Sequence, residues 1–340
     1  NLYSERFPLA VTLDCEQQPT SRLSAPFDDA SVVAALDRMN TGVTPGADGV
    51  TVEMLKEAPK HIHQLLACMY NDRFWGNADN SWDGTIVSLL PKSSGSKTVT
   101  QYRPIAVLST LYKLYETMLI GSWPNAMETL GPEHTGFRPG HQALEHITSI
   151  RLVIEKQAEL KRGLVCTKAD VYKAFDTVDH NTIFEALSHY NININTAKAF
   201  IREIRQCGMM FKMPDGNFTT ILRQHRGVKQ GGCASPWLFV LVMNYVLKDL
   251  ILDWGSRGLG VSLGNASMVT ILLFADDIML MSTSTKNTNT MLAELQACLS
   301  KHGMCITAQK CMTMENSWTT NDESVELDGH AVPVANGDVG

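Results

Sequence analysis

The 340-residue chain is long enough to bury a sizeable core, and its 44% apolar and 19% charged fractions are those of a globular protein. Its eight cysteines stand far apart and none forms a C-x-x-C pair, which argues against a disulfide framework and a zinc site. The net charge of −6 does not exclude a polynucleotide partner, because the first 310 residues carry all 29 Lys and Arg but only 29 of the 35 acids.

Hydrophobic periodicity and turn residues predict helices and short strands along most of the chain. In chain order, the predicted elements are a linker or partial arm at 1–27; a helix at 28–39; a helix at 50–75 interrupted at Pro59; a hairpin at 85–108 with a basic turn at 91–97; helices at 110–130 and 140–161; a strand at 163–170; helices beginning near Asp179 and Asn195; a hairpin at 209–224 with its turn at Asp215-Gly216; an apolar helix at 233–254; a hairpin around residue 276; a helix at 286–302; and short strands at 304–314, 324–328 and 331–335.

This order is not a strict βαβ alternation. It predicts an α+β fold, in which an antiparallel sheet carries helices on one face. The longest apolar run, residues 237–247, is too short to span a bilayer, and no signal-peptide pattern is visible. We therefore expect no membrane partner.

Two adjacent acids, Asp276 and Asp277, lie in the turn between two apolar arms. Asp suits turns in general, but a buried pair of like charges is costly unless a cation compensates. Asp170 ends the predicted strand at 163–170. If these elements are neighbours in one sheet, three carboxylates meet at its edge. Such a cluster fits Mg²⁺, and two ions about 4 Å apart support in-line phosphoryl transfer.

Six ordered stretches and a weaker seventh resemble the motifs of reverse transcriptases, and most closely those of non-LTR (LINE-type) retrotransposons. They are Thr44-Pro-Gly-Ala-Asp-Gly49; Leu90-Pro-Lys92 with Gln101-Tyr-Arg-Pro-Ile105; Thr135-Gly-Phe-Arg-Pro-Gly140; Lys168-Ala-Asp-Val-Tyr-Lys-Ala-Phe-Asp-Thr-Val178; Gly227-Val-Lys-Gln-Gly-Gly-Cys-Ala-Ser-Pro236; Phe274-Ala-Asp-Asp277; and the weaker 303–310. The resemblance covers about residues 28–335. It implies a right-hand polymerase with fingers at 28–160, which include the start of the palm. The palm at 161–340 would be an antiparallel sheet backed by helices. It would end near the primer-grip hairpin, with the thumb absent or truncated.

The resemblance also implies roles for the residues around the acids. Asp170 would bridge both Mg²⁺ ions, Asp276 would be the second principal ligand, and Asp277 would assist. The backbone carbonyl of Val171 would complete a coordination shell. Phe175 resembles the aromatic steric gate that blocks a nucleotide 2′-hydroxyl, with a core aromatic as the alternative.

Basic and glycine-rich positions complete the implied site. Lys92 and Arg103 resemble the fingers cations that hold the incoming triphosphate; solvated turn charges are the alternative. Gln230 and Gly231 resemble the loop that packs under the nascent base pair; a plain helix N-terminus is the alternative. Lys310 resembles a lysine near the leaving pyrophosphate.

Some positions depart from the family pattern. His134 stands where a Gln is common, and Cys311 stands where a Thr often follows the final lysine. Pro124 would break or kink the helix predicted at 110–130. Arg138 matches its motif and is expected to contact the template.

The implied function is RNA-directed DNA synthesis, in which a primer 3′-hydroxyl attacks the α-phosphate of a dNTP. The implied cofactor is a pair of Mg²⁺ ions, with Mn²⁺ as the alternative. The implied partners are an RNA template, a DNA primer, a dNTP, and the endonuclease and thumb segments of a larger polyprotein. The resemblance also implies an intracellular, nuclear location.

Three alternatives remain open at this point. A group II intron maturase-type reverse transcriptase would share the same motifs. An RNA-dependent RNA polymerase is disfavoured by Phe175, because such an enzyme must admit a 2′-hydroxyl. A decayed or domesticated, non-catalytic RNA-binding module is disfavoured by the three intact acids Asp170, Asp276 and Asp277.

Overall fold

The computed structural model describes most of the chain between residues 25 and 335. The described residues are 25–77, 85–93, 98, 101–121, 123, 126–206, 208–213, 216–264, 268–319 and 323–335. Several predictions fall outside these residues: the arm up to residue 24, part of the basic turn at 94–97, the kink at Pro124, the turn residue Asp215 and the end of the expected palm at 336–340.

Helices and strands occur in the mixed order that the sequence predicts. The helices are α1 Asp29–Asp37, α2 Val52–Lys56, α3 Lys60–Phe74, α4 Thr110–Gly121, α5 Ala143–Glu159, α6 Ala174–Thr177, α7 His180–His189, α8 Ile194–Gln206, α9 Ser235–Ser256 and α10 Thr285–Lys301. The strands are β1 Thr85–Pro91, β2 Tyr102–Val107, β3 Val165–Asp170, β4 Gly208–Phe211, β5 Leu222–Arg223, β6 Val261–Ser262, β7 Met268–Val269, β8 Ile271–Phe274, β9 Asp277–Ser282, β10 Met312–Glu315, β11 Glu326–Leu327 and β12 His330–Ala331.

Side-chain caps account for several helix starts that the sequence predicts. Asp28 and Ser31 form a reciprocal capping box at the start of α1. Asp179 accepts a backbone N–H at the start of α7, and Ser284 does the same for α10. Pro59 separates α2 from α3, as predicted.

The sheet that carries the acids has four antiparallel strands in the order β10-β3-β9-β8. Because side chains alternate along a strand, its two faces enter two different hydrophobic clusters. Val165 and Leu273 belong to the main core, in which α9 contacts both α7 and α10. Cys166 and Met281 belong to a second cluster with Val153 of α5. The α+β prediction is confirmed, but the expectation of helices on one face alone was wrong, because α5 covers the other face.

A second four-stranded sheet has the order β2-β1-β4-β5. β1 and β2 form the antiparallel hairpin that the sequence predicts, with Leu90 opposite Arg103. β4 then pairs parallel with β1, with Thr85 opposite Met209. This parallel pairing was not predicted, and it joins segments on both sides of the domain boundary expected at 160/161. The division into domains itself stays a prediction.

Two element predictions were wrong in extent, and one observed element was not predicted. The helix expected at 110–130 ends at Gly121. The strand expected at 304–314 begins only at Met312, because residues 308–310 form a short 3₁₀ turn. The β6–β7 ribbon was not predicted; its two strands have only two residues each, which is too short for a visible alternation.

Helix α9 corrects the expectation that the apolar run is too short to span a bilayer. Within the described residues it is the one helix whose length and composition would allow it to cross a membrane. It has 22 residues, and 56% of its most apolar stretch is buried inside the protein. Phe239, Leu241 and Leu247 are fully buried members of the main core. Burial of this kind is also typical of a core helix, so the length of α9 is weak support for a membrane span.

Candidate active site

The acidic turn lies at the tip of the β8–β9 hairpin. Phe274 pairs with Asp277 across the hairpin, so Ala275 and Asp276 form a two-residue turn. Tight hairpin turns require left-handed backbone, and Ala275 adopts φ +56° although it is not glycine. On the other side of β9, Asp170 lies directly opposite Asp277. The strand register therefore brings the three acids to the same edge of the sheet.

Two lysines pair with the outer acids. Lys310 Nζ lies 2.9 Å from Asp170 Oδ1, and Lys168 Nζ lies 2.8 Å from Asp277 Oδ1. Asp276, in the adjoining turn, is partly buried. Burial raises the pKa of Asp276, and the nearby charges of Asp277 and Asp170 raise it further. This edge of the sheet is thus a crowded anionic site that attracts cations.

A divalent metal ion fits the chemistry of these donors, since carboxylate oxygens are the ligands that Mg²⁺ prefers. Within the described ranges, however, no group of three or more His, Cys, Asp or Glu side chains is arranged closely enough to hold an ion. Asp170 and Asp277 turn to their lysines instead. Val171 follows Asp170, is 1% exposed and pairs with Ile306. The acids would therefore reorient their side chains, but not their strands, to enclose an ion.

Lys168 was not predicted as a site residue. It lies two positions before Asp170 on β3, so both side chains emerge on the same face of the sheet. That alternation was the available signal. Lys310 approaches from the 3₁₀ turn at 308–310, and its ammonium also lies 5.6 Å from the ring centre of Tyr172.

Phe175 lies on the single-turn helix α6 and is partly buried. Its ring stacks on Phe239 of α9, with 4.7 Å between the ring centres. Its backbone carbonyl accepts a hydrogen bond from Val228 N at 2.7 Å. The ring therefore has the packing of a core aromatic on one side, while its incomplete burial leaves part of it accessible. The gate role stays a prediction.

The glycine-rich loop before α9 packs against the β1–β2 hairpin. Ala106 N on β2 donates a hydrogen bond to Gln230 O at 2.7 Å. Gly231 adopts φ +118°, and a Cβ there would lie 2.5 Å from Ala106 O. Only glycine satisfies both conditions. The Gln230 side chain points the other way and donates from Nε2 to Asp176 Oδ1 at 3.3 Å.

Lys92 and Arg103 lie on the β1–β2 hairpin and are both exposed. Lys92 N donates to Gln101 O at 2.9 Å, just beyond β1. Burial raises the pKa of Asp176, and the positive charge of Lys92 is one of the influences that oppose this rise. Arg103 has no ion-pair partner among the described residues.

Comparison with known proteins decides the family. A family model described as reverse transcriptase (RNA-dependent DNA polymerase) matches residues 90–329, more than half of the chain. The chain belongs to the reverse transcriptase family. The resemblance to LINE-type elements is also confirmed, because its relatives include polyproteins of R2 retrotransposable elements.

Two R2 relatives and one solved structure illustrate the likeness. The chain is 28% identical over 273 residues to a Pol polyprotein of an R2 element from Popillia japonica, and the match covers 79% of this chain and 37% of that one. It is 29% identical over 280 residues to the R2DM polyprotein of Drosophila melanogaster, covering 82% and 25%. The chain therefore spans well under half of these relatives. Its fold resembles apo telomerase from Candida tropicalis, with a TM-score of 0.51, 12% identity and coverage of 73% and 52%.

A second loop, at 131–141, braces the acidic turn. Thr135 N donates to Leu273 O of β8 at 3.2 Å. A Cβ at Gly136 would lie 2.4 Å from Ala275 N, which directly precedes Asp276. Arg138 donates to backbone carbonyls of its own loop, with Nη1 3.2 Å from Gly131 O and 3.4 Å from His134 O. These bonds hold the loop in shape, and the expected template contact of Arg138 stays a prediction.

A buried acidic side chain on α4 holds the start of α9. Glu116 is 5% exposed, and its Oε2 accepts a hydrogen bond from Cys233 N at 2.8 Å. Lys229 is 3% exposed, and its Nζ donates to the Tyr112 hydroxyl at 2.8 Å. Burial raises the pKa of Glu116, and the charge of Lys229 opposes that rise. Sequence reasoning missed this pair, because nothing in the local pattern of α4 marks Glu116 as facing inward.

Proposed function

We propose that this chain is the catalytic module of an RNA-directed DNA polymerase that extends a DNA primer on an RNA template. The register that sets Asp170 opposite Asp277, with Asp276 in the adjoining turn, carries the proposal. In a reverse transcriptase, three acids at one sheet edge are suited to phosphoryl transfer between a primer hydroxyl and a dNTP.

Members of this family use divalent metal ions, and we propose two Mg²⁺ ions, with Mn²⁺ as the alternative. Asp170 and Asp276 would hold them, and Asp277 and the Val171 carbonyl would complete the shells. When bound, the ions lower the pKa of the primer hydroxyl and offset charge on the phosphates. Lys310 would then exchange Asp170 for the departing pyrophosphate.

The remaining residues bind and orient the nucleotide. Lys92 and Arg103, on one hairpin, would pair with the triphosphate. The Gln230–Gly231 loop, held against β2, would support the nascent base pair from below. Phe175, fixed by its stack on the core, would exclude a ribose 2′-hydroxyl. Catalysis in this arrangement is mainly positioning and charge stabilisation.

The partners are proposed to be an RNA template, a DNA primer and a dNTP. Because the R2 relatives are much longer than this chain, we also propose further segments of a larger polyprotein, including a thumb and an endonuclease. A nuclear site of action follows from the same likeness.

Primer extension tests the proposal. The full-length protein is supplied with a homopolymer RNA template, a DNA primer, the matching dNTP and Mg²⁺, and the product is identified as DNA by nuclease sensitivity. We expect extension, and we expect Asp276→Asn to reduce its rate by about a thousandfold or more, since such ions supply several kcal/mol of charge stabilisation. Asp253→Asn is the matched control, because Asp253 lies far along α9 in an exposed ion pair with Arg257. Extension that survives Asp276→Asn would contradict the assignment.

A further inference from the structure

Asp176 is a partly buried carboxylate to which neither the family resemblance nor the proposed chemistry assigns a role. It lies on α6, directly after the candidate gate Phe175. Its backbone N–H donates to Lys173 O at 2.7 Å. A Cβ at Gly227, which adopts φ +78°, would lie 2.6 Å from Asp176 Cα. The Asp176 backbone therefore has little freedom to move.

The loop from Gly227 to Gln230 runs along α6 and is bonded to it at several points. Gly227 N donates to Val178 O, and Val228 N donates to Phe175 O, both at 2.7 Å. The side chain of Gln230 adds the bond from Nε2 to Asp176 Oδ1. Gln230 thus joins two parts of the site, because its own carbonyl is bonded to the fingers strand β2.

A carboxylate does more here than a neutral side chain of the same shape. An ionised carboxylate only accepts hydrogen bonds, so the Gln230 amide must present Nε2 to it and turn Oε1 away. An Asn at position 176 would accept or donate and would leave the amide free to flip. Burial raises the pKa of Asp176, while Gln230 and the charges of Lys173 and Lys92 lower it. The positive charges of these two lysines therefore favour the ionised form of Asp176.

We propose that Asp176 is a positioning residue for nucleotide binding, which fixes the orientation of the Gln230 amide. It acts through this side chain and makes no contact with the reacting atoms. The inference rests on the proposed polymerase function. It predicts that loss of the charge at position 176 weakens nucleotide binding more than it slows the chemical step.

The test compares Asp176→Asn with the natural full-length protein on an RNA template with a DNA primer. Asp176→Asn should raise KM for the matching dNTP about tenfold, as expected for a charge-assisted hydrogen bond, and should change kcat less than threefold. A parallel measurement uses a primer that ends in a 3′-dideoxynucleotide, so dNTP binding is measured without catalysis. The dissociation constant should also rise about tenfold. In a Gln230→Ala background, the effect of Asp176→Asn should shrink, because the shared bond is already lost.

Asp179→Ala is the matched control. Asp179 lies three positions further along and caps α7 by accepting the N–H of Asn181. Its loss should lower the thermal midpoint without changing KM or the dissociation constant, whereas Asp176→Asn should leave the midpoint close to that of the natural protein. Unchanged nucleotide binding in Asp176→Asn would overturn the inference. A lower kcat together with a lower thermal midpoint would also overturn it, because both would then reflect a loss of stability. A natural protein that extends no primer would instead overturn the proposed function, and the binding measurement would still decide the role of Asp176.

Discussion

Gly136 offers a direct way to disturb the acidic turn without touching an acid. A Cβ at position 136 would lie 2.4 Å from Ala275 N and 2.9 Å from Phe274 C, whereas ordinary contacts begin near 3.4 Å. Both neighbours are backbone atoms of the hairpin, so they cannot rotate away. Gly136→Ala should therefore push the turn, and Asp276 with it, by up to about 1 Å. A misplacement of that size at a reacting centre costs about a hundredfold in rate.

The assay is single-turnover primer extension at saturating dNTP, together with denaturant unfolding to measure the folded fraction. We expect Gly136→Ala to lower the rate of extension about a hundredfold and the free energy of unfolding by about 1–3 kcal/mol, as overpacking does. Gly140→Ala, in the same loop, is the control. Gly140 has φ +78° and open space around its Cβ, so its substitution adds backbone strain of about 1 kcal/mol but no contact with the turn. Equal rates for Gly136→Ala and the natural protein, or an equal loss in Gly140→Ala, would refute the reasoning.

Three further predictions concern specificity, stability and pH. Phe175→Ala should raise the ratio of ribonucleotide to deoxynucleotide incorporation, measured with both nucleotides in competition. An unchanged ratio would indicate that Phe175 only packs in the core. Arg73→Ala should lower the free energy of unfolding, measured by urea titration, by about 3–5 kcal/mol, because it leaves the buried carboxylate of Glu203, 2.7 Å away, without its ion-pair partner. Arg151→Ala, which removes an exposed ion pair, should change the free energy of unfolding little. Burial lowers the pKa of His134 to about 3, so only the unfolded state takes up a proton on this side chain as the pH falls below about 6.5. The free energy of unfolding should therefore decrease as the pH falls from about 6.5 towards 3. His134→Gln should make this decrease smaller, and the same pH dependence in both proteins would contradict the prediction.

Much of the candidate site was predictable because its signals are local. The strand that ends at Asp170 and the hairpin that carries Asp276 are both apolar runs interrupted by acids. Two such elements in one antiparallel sheet place their acids at a common edge, and the observed pairing of Asp170 with Asp277 has this geometry. Helix caps such as Asp179 are equally local, since the capping residue and its N–H partner lie within one turn.

The features that the sequence did not predict depend on contacts between distant segments. Gly136 must be glycine because the backbone of Ala275 approaches it closely. Nothing in the sequence of either loop indicates that the two are in contact. Lys168 and Glu116 acquire their partners only when β9 and the start of α9 are in place. The short 3₁₀ turn at 308–310 replaces part of an expected strand. It carries Lys310, whose partner Asp170 is distant in sequence, so no local pattern indicates the turn.

The parallel pairing of β1 with β4 has a consequence for how this chain folds. β1 is synthesised long before β4, and α4 to α8 lie between them. Pairings between such distant segments form late, because the intervening chain must be closed into a loop first. Until residue 211 has emerged, one edge of β1 has no strand beside it and exposes a template for aggregation. Fragments intended for expression should therefore end no earlier than Arg223. They then include β4 and its neighbour β5, and the early hairpin can complete its sheet.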